Sequence, residues 1–271
     1  MAMTGPPDRI FAGYAFDLDG TVYLGDRLTA GADRAIASLR AAGSRVLFVT
    51  NKPLGTGAGY AAKLSRLGVP AEPADVLTAL DTLVRYLDRH HSGARLLAVA
   101  EPLVTTILEN AGFTVTTRPA KVDVVVVSFD RTFDYAKLLA AYRAVRAGAT
   151  IVATNPDPYC PTPDGGLPDC AAMLAAIEAC TGARAEAIVG KPSEYMAEAV
   201  LARLGVPAED AAMVGDRLAT DVVLGQSIGM AGILTLTGDA AAAPGPNATI
   251  RPDYVVDGLL DLIPDAARRS P

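Results

Sequence analysis

Four apolar, β-rich runs along this chain each end in a cluster of polar residues. Helical patterns lie between them, such as Ala32, Ile36 and Leu39 ahead of Gly43. Alternating strands and helices predict an α/β fold with a parallel sheet, and ligands of such sheets bind at the carboxyl ends of the strands. We therefore expect one edge of the sheet to collect the polar residues that follow the four runs: Asp17, Asp19, Thr50, Asn51, Lys191 and Asp216.

The first cluster, Asp17-Leu18-Asp19-Gly20-Thr21, carries two carboxylates separated by one residue. An aspartate can attack phosphorus to form an acyl phosphate. A second carboxyl two positions on can protonate the departing oxygen and then activate water. Aspartate and glycine are also common turn residues, so the segment alone is equally compatible with a structural turn. The three other clusters favour the chemical interpretation.

The order and spacing of the clusters resemble the haloacid dehalogenase superfamily of aspartyl-phosphate phosphohydrolases. The resemblance spans residues 12–238. The long insert between Thr50 and Lys191 is similar to the NagD-type branch, which carries a large α/β cap of the C2 type. The family's four motifs correspond here to Asp17 with Asp19, Thr50, Lys191, and Asp216 with Asp221. Closer similarity to AraL-type sugar-phosphate phosphatases rests on residues 50–53, 128–131, 155–157, 160–161 and 168–173.

The resemblance implies a Rossmann-like, doubly wound parallel sheet as the core, with the cap inserted into it. The chain has 271 residues, of which 51% are hydrophobic, enough for two separate cores. Strand patterns at 96–99, 122–127 and 150–153 indicate that the insert is a domain of its own. We expect the core to resume with the strand that leads to Lys191. The predicted core is residues 1–82 and 186–271, and the predicted cap is residues 83–185.

The carboxylates at the predicted sheet edge require a cation. Two like charges about 4 Å apart repel by roughly 4 kcal/mol at an effective dielectric near 20. Oxygen ligands without histidine or cysteine favour Mg²⁺ over zinc. The resemblance implies that Asp17 and Asp216 bind the ion through their carboxylates and Asp19 through its backbone carbonyl. It gives Asp221 an outer or secondary place among the ligands.

The remaining motif residues are predicted to bind phosphate. Lys191 and the metal ion would neutralise the phosphoryl oxygens, while Thr50, Asn51 and backbone amides such as that of Gly20 would hold the rest. The resemblance makes Asp17 the nucleophile and Asp19 the acid and base. Lys191 ahead of a proline could instead simply begin a helix, and Asn51 could cap the following loop.

Substrate selection is predicted where the cap overhangs the core, because the core motifs contact only phosphate. The loop 155–168 offers Asn155, Asp157 and Tyr159, although its prolines are also compatible with a stiff connection. Lys52 is a further candidate, since its ammonium could reach a substrate hydroxyl, a second phosphate or a cap carboxylate. A solvated lysine is the alternative.

Composition excludes several other classes of protein. A net charge of −6, from 24 basic and 30 acidic residues, argues against a nucleic-acid surface. The ten-residue spacing of Cys160, Cys170 and Cys180 fits no zinc or redox pattern. No signal-like or membrane-spanning apolar stretch is present in the sequence, so we expect a cytoplasmic protein. The family often dimerises through the cap, and a monomer is equally compatible with the sequence.

The sequence thus predicts a Mg²⁺-dependent phosphatase that acts on small phosphomonoesters, foremost sugar phosphates, through a phosphorylated Asp17. A nucleotide or glycerol-phosphate phosphatase is the alternative enzyme. A receiver-like signalling domain would place its phosphorylated aspartate after the acidic pair rather than within it. A non-catalytic sensor of phosphorylated sugars would not need Asp19.

Overall fold

The structure is a computed structural model that describes residues 5–162, 165–240, 242–245 and 248–264. Fifteen strands occur in the described part of the chain. They are β1 (Gly13–Asp17), β2 (Tyr23–Leu24), β3 (Arg27–Leu28), β4 (Arg45–Thr50), β5 (Val76–Thr78), β6 (Arg95–Val99), β7 (Thr114–Val115), β8 (Val124–Val127), β9 (Thr150–Ala153), β10 (Tyr159–Thr162), β11 (Gly165–Pro168), β12 (Ala187–Ile188), β13 (Ala211–Gly215), β14 (Ala231–Thr235) and β15 (Tyr254–Val256).

Eight α-helices connect these strands within the described ranges. They are α1 (Ala32–Ala41), α2 (Gly57–Arg66), α3 (Ala79–His90), α4 (Pro102–Asn110), α5 (Tyr135–Arg146), α6 (Cys170–Thr181), α7 (Glu194–Leu204) and α8 (Val223–Ser227). A π-helical turn, Leu218–Val222, runs directly into α8. None of the described helices is long and apolar enough to span a bilayer.

The first sheet has six strands in the order β15-β14-β13-β1-β4-β5, and all of its pairings are parallel. Side chains of β1 alternate between its two faces. Tyr14 and Phe16 pack with Ile36 of α1 on one side, while Ala15 packs with Val200 of α7 on the other. Helices therefore cover both faces, and the predicted doubly wound α/β core is confirmed.

The second sheet has five parallel strands in the order β12-β9-β8-β6-β7. Its valine run also alternates. Val124 and Val126 pack against α3 and α4, whereas Val125 and Val127 pack against α5 and α6. The insert is therefore a second α/β unit with helices on both faces of its sheet, and the predicted strands 96–99 and 150–153 fall within it.

One strand lies in a different sheet from the one predicted. The strand ahead of Lys191 was expected in the core sheet, but β12 pairs with β9 at the edge of the second sheet, with Ala187 opposite Val152. Val189 then packs in the core of the insert. Helix α3 crosses the other predicted boundary, at 82/83. We propose that the core resumes at Gly190, after β12.

Candidate active site

Asp17 ends β1, the strand that lies between β13 and β4 in the middle of the core sheet. Its side chain is buried. The chain then turns, because the amides of Val22 and Tyr23 both donate to the carbonyl of Leu18 at 3.0 and 3.1 Å. This turn brings Asp19 to the same edge of the sheet as Asp17. The two carboxylates therefore share one site, as the spacing predicts.

Lys191 reaches this edge from the end of the second sheet and is almost fully buried. Its ammonium hydrogen-bonds Asp17 and lies 2.7 Å from Oδ1 of Asp221. Its backbone N–H donates to Oδ1 of Asn51 at 2.7 Å, which fixes the residue to the loop after β4. Burial alone would lower the pKa of Lys191, but the carboxylates of Asp17 and Asp221 outweigh it and raise that pKa. The ammonium is therefore a permanent positive charge beside the predicted nucleophile.

Asp216 and Asp221 enter the site from the end of β13 and from the π-helical turn that follows. The backbone N–H of Asp239 donates to Oδ2 of Asp216 at 2.6 Å, and that of Arg217 donates to Oδ2 of Asp221 at 3.1 Å. Gly20 packs directly on Asp216, since a Cβ added there would lie 2.3 Å from its Oδ2. π-Helical turns occur often at functional sites. Here the turn aims Asp221 back at Lys191.

Three of the carboxylates fit a divalent cation. Asp17, Asp216 and Asp221 are buried and offer oxygen atoms that all lie within 4.8 Å of one another. Burial, together with the neighbouring Asp221 carboxylate, raises the pKa of Asp216 to about 6. Burial likewise raises the pKa of Asp17, although Lys191 opposes the shift. A hard cation such as Mg²⁺ suits this all-oxygen donor set and would stabilise the ionised carboxylates.

The acid/base candidate has a lysine as its partner. The ammonium of Lys52 donates to Oδ1 of Asp19 at 3.0 Å. Among the described residues nothing hydrogen-bonds the other oxygen, Oδ2, although that atom is buried. One oxygen of Asp19 is thus held by Lys52, and the other is buried near the Tyr23 side chain.

A hydrogen-bond network joins the insert to the two core loops. The carboxylate of Asp157 accepts from Nδ2 of Asn51 at 2.9 Å and from the Arg217 guanidinium at 3.0 Å. Asn155 donates to the backbone carbonyl of Asn51 at 3.2 Å. Both oxygens of Asp157 are therefore engaged within the protein. The segment that begins at Asn155 is tied to the loops that follow β4 and β13.

The hairpin β10–β11 covers the site. Tyr159 donates from its hydroxyl to Asp239, and the Arg217 guanidinium lies 5.1 Å from the centre of the Tyr159 ring. The cavity beneath it is partly open to solvent and has a volume of about 40 Å³. Its lining comprises Asp17, Asp19, Thr50, Asn51, Lys52, Asp157, Tyr159, Cys160, Asp169, Lys191, Asp216, Arg217, Thr220 and Asp221. A larger cleft of about 760 Å³ lies at the amino end of β4, and none of the predicted site residues lines it.

Two predicted site residues take other positions. The amide of Gly20, expected to bind phosphate, donates to the carbonyl of Tyr23 at 2.8 Å, because the turn uses it. Asn155 was expected to contact substrate, but it does not line the cavity, since its side chain binds the Asn51 backbone. All other predicted site residues line the cavity.

Sequence reasoning missed four of the residues that line the cavity. Arg217 had a usable signal, because it directly follows Asp216 at the end of a strand. Asp169 and Cys160 lie within the segments that carry the family resemblance. No sequence feature there distinguishes them from residues with a purely structural role. Thr220 lies on the π-helical turn, which sequence periodicity does not predict. The four lining residues are Cys160, Asp169, Arg217 and Thr220.

The fold and the four convergent loops define a hydrolase class, and comparison with known proteins supports it. Residues 14–114 match the haloacid dehalogenase-like hydrolase family, and residues 188–262 match a HAD-hydrolase-like family. The sugar-phosphatase AraL of Bacillus subtilis is 34% identical over 251 residues, which cover 93% of this chain and 92% of that protein. The chain belongs to the haloacid dehalogenase-like hydrolases and, among them, to the phosphatases.

Solved structures agree with this assignment. A 4-nitrophenylphosphatase from Thermotoga maritima superimposes with a TM-score of 0.85 at 32% identity, covering 95% of this chain and 97% of that one. A glycerol phosphate phosphatase from Mycobacterium tuberculosis, solved in complex with magnesium, gives a TM-score of 0.84 at 32% identity and covers 96% of this chain and 78% of that one. The predicted superfamily and the predicted similarity to AraL-type phosphatases are both confirmed.

Proposed function

We propose that the protein hydrolyses small phosphomonoesters with the help of Mg²⁺, and that sugar phosphates are its principal substrates. The proposal rests mainly on the buried ammonium of Lys191. This ammonium contacts Asp17, at the end of β1, and Asp221, on the π-helical turn after β13. Asp19 lies beside this group in the same cavity. The similarity to a sugar phosphatase over most of the chain supports the choice of substrate.

The proposed reaction has two steps. A carboxylate oxygen of Asp17 attacks phosphorus, the P–O bond to the leaving group breaks, and Asp19 gives its proton to the departing oxygen. Water then attacks the phosphorus of the aspartyl phosphate while Asp19 takes a proton from it, which releases phosphate and restores both carboxyl groups. Lys191 neutralises charge on the phosphoryl oxygens, and Thr50 orients the group. The Asn51 side chain, predicted to bind phosphate, instead bonds Asp157 and the Lys191 backbone and so positions the lysine.

Asp17 and Asp216, with the backbone carbonyl of Asp19, are the groups proposed to hold Mg²⁺. When bound, the ion supplies charge neutralisation for the phosphoryl oxygens. Asp221 is proposed as an outer or secondary ligand, as the family resemblance implies. One of its oxygens accepts from Lys191 and the other from the Arg217 amide.

Glycerol phosphate is the second candidate substrate. The glycerol phosphate phosphatase from Mycobacterium tuberculosis is 32% identical to this chain, as is the 4-nitrophenylphosphatase from Thermotoga maritima. This similarity favours glycerol phosphate as a substrate. Dimerisation through the insert and a cytoplasmic location stay predictions from the sequence.

The proposal is tested by phosphate release from a panel of sugar phosphates, glycerol phosphates, nucleotides and p-nitrophenyl phosphate, each with Mg²⁺ or with EDTA. We expect Mg²⁺-dependent turnover that Asp17→Asn abolishes. Asp26→Asn is the matched control, because the Asp26 side chain is 95% exposed. The ranking of substrates decides between sugar and glycerol phosphates. Folded protein that releases no phosphate from any of these compounds would refute the proposal.

A further inference from the structure

Lys52 is fixed at the edge of the cavity through its backbone. Its N–H donates to Oγ1 of Thr50 at 3.1 Å. The hydroxyl of Tyr60, a buried residue of α2, donates to its carbonyl at 2.9 Å. A solvated surface lysine would need neither contact. The backbone of Lys52 is thus held from both sides, and its side chain starts from a defined point beside the phosphate-binding loop.

The ammonium of Lys52 lies between the core and the insert. It donates to Asp19 at 3.0 Å, and the Lys52 side chain is only 24% exposed. It also interacts with the thiol of Cys160 on the hairpin β10–β11. An ammonium carries three donors and no acceptor, so the bond to Asp19 leaves further donors for groups that enter the cavity.

The position of Asp19 identifies which part of a substrate would meet this ammonium. A general acid must lie within hydrogen-bond distance of the oxygen that it protonates, which here is the ester oxygen. In the proposed reaction, Asp17 and Lys191 act on the phosphoryl group, whereas Asp19 acts on the leaving group. A donor bound to Asp19 therefore faces the leaving group rather than the phosphate.

The charge of the cavity restricts what the leaving group can be. Six of its lining residues are acidic and three are basic. A second anionic group on the substrate would meet a surplus of carboxylates, whereas a hydroxyl can accept from the ammonium at no such cost. The chemistry therefore favours an uncharged, hydroxylated leaving group.

We propose that Lys52 is a specificity-determining residue that donates a hydrogen bond to a hydroxyl on the carbon next to the ester carbon. This inference rests on the proposed phosphatase function. It explains how an enzyme whose core contacts only phosphate would prefer polyol phosphates to simple alkyl phosphates.

Two substrates that differ in the hydroxyls of the leaving group test the proposal. Glycerol 3-phosphate has a hydroxyl next to the ester carbon, and n-propyl phosphate has none. The measured quantity is the ratio of kcat/KM for the first compound to kcat/KM for the second. A loss of acid function through Asp19 lowers both values, and it lowers kcat/KM for n-propyl phosphate at least as much, because n-propoxide is the more basic leaving group. A fall in the ratio therefore reports on the leaving-group contact.

We expect Lys52→Met to lower this ratio by about tenfold or more, the effect of one hydrogen bond from a charged donor. Lys52→Arg keeps the charge and should hold the ratio within about threefold of wild type. Lys121→Met is the matched control, since Lys121 is exposed and does not line the cavity. Thermal melting would establish that each variant is folded.

A ratio that stays unchanged in Lys52→Met would overturn the inference and limit Lys52 to holding Asp19. A ratio that falls equally in the Met and Arg variants would overturn it as well. Wild-type protein that releases no phosphate from either compound or from p-nitrophenyl phosphate would instead refute the proposed function. The two failures are therefore distinguishable.

Discussion

The ammonium of Lys191 and the carboxylate of Asp221 lie 2.7 Å apart, and both side chains are almost fully buried. The second oxygen of Asp221 accepts the backbone N–H of Arg217. Asp221 therefore holds the lysine with one oxygen and its own turn with the other. This geometry makes Asp221 a positioning residue for Lys191 as well as a secondary candidate ligand for a metal ion.

The first prediction concerns this pair. Asp221→Asn keeps the shape of the side chain but removes one of the two carboxylates that hold the Lys191 ammonium. The ammonium should then be less firmly oriented toward the phosphoryl group, and we expect kcat to fall about 10²-fold, as on loss of one oriented charge-stabilising group. Initial rates of phosphate release measure the change. Asp210→Asn, at a half-exposed aspartate, is the control, and an Asp221→Asn enzyme within twofold of wild type would contradict the prediction.

The second prediction separates the two roles of Asp19. p-Nitrophenolate is a weak base that leaves without a proton, so Asp19→Asn should still phosphorylate Asp17 with this substrate. Water attack still needs a base, so the phosphorylated enzyme should accumulate. We expect a burst of p-nitrophenol close to one equivalent per enzyme, followed by slow turnover, in a rapid-mixing experiment. A steady rate without a burst, at wild-type speed, would show that Asp19 is not the base.

The fold could be predicted because its signals are local. The apolar valine run by itself predicts a strand. The polar residues that end apolar runs mark the candidate site residues Asp17, Thr50 and Asp216. The partner of β12 could not be predicted, because a strand of two residues carries no pattern that selects one sheet over another. Asn155 was misplaced for a related reason, since only tertiary structure shows that its amide meets the backbone of Asn51.

The third prediction concerns the bridge between Asp157 and Arg217. Asp157 is buried and binds both Asn51 and Arg217, so its removal leaves donors of two core loops without their acceptor. We expect Asp157→Ala to lower the free energy of unfolding by about 1–3 kcal/mol and to raise KM. Urea denaturation of Asp157→Ala, Arg217→Met and the double variant measures the coupling. Additive effects of the two substitutions would show that the bridge contributes nothing.

The last prediction is a pH dependence of stability that arises from Asp169, the N-cap of α6. Burial raises its pKa to about 6, although the hydrogen bond from the Cys170 amide opposes the shift. An unfolded aspartate titrates near 3.9, so the folded state favours the protonated form. The resulting stabilisation is complete below pH ~4 and is lost as the pH rises through ~6, at a cost of about 2–3 kcal/mol for two pKa units.

Asp169→Asn cannot ionise and retains a good N-cap. We therefore expect it to be more stable than wild type by about 2–3 kcal/mol at pH 7.5 and by only about 1 kcal/mol at pH 4.5. Urea unfolding with EDTA at both pH values measures this difference. Asp134→Asn replaces an exposed N-cap, on α5, and controls for the loss of a carboxylate at a helix start. An equal difference at the two pH values would mean that burial does not hold Asp169 in its protonated form.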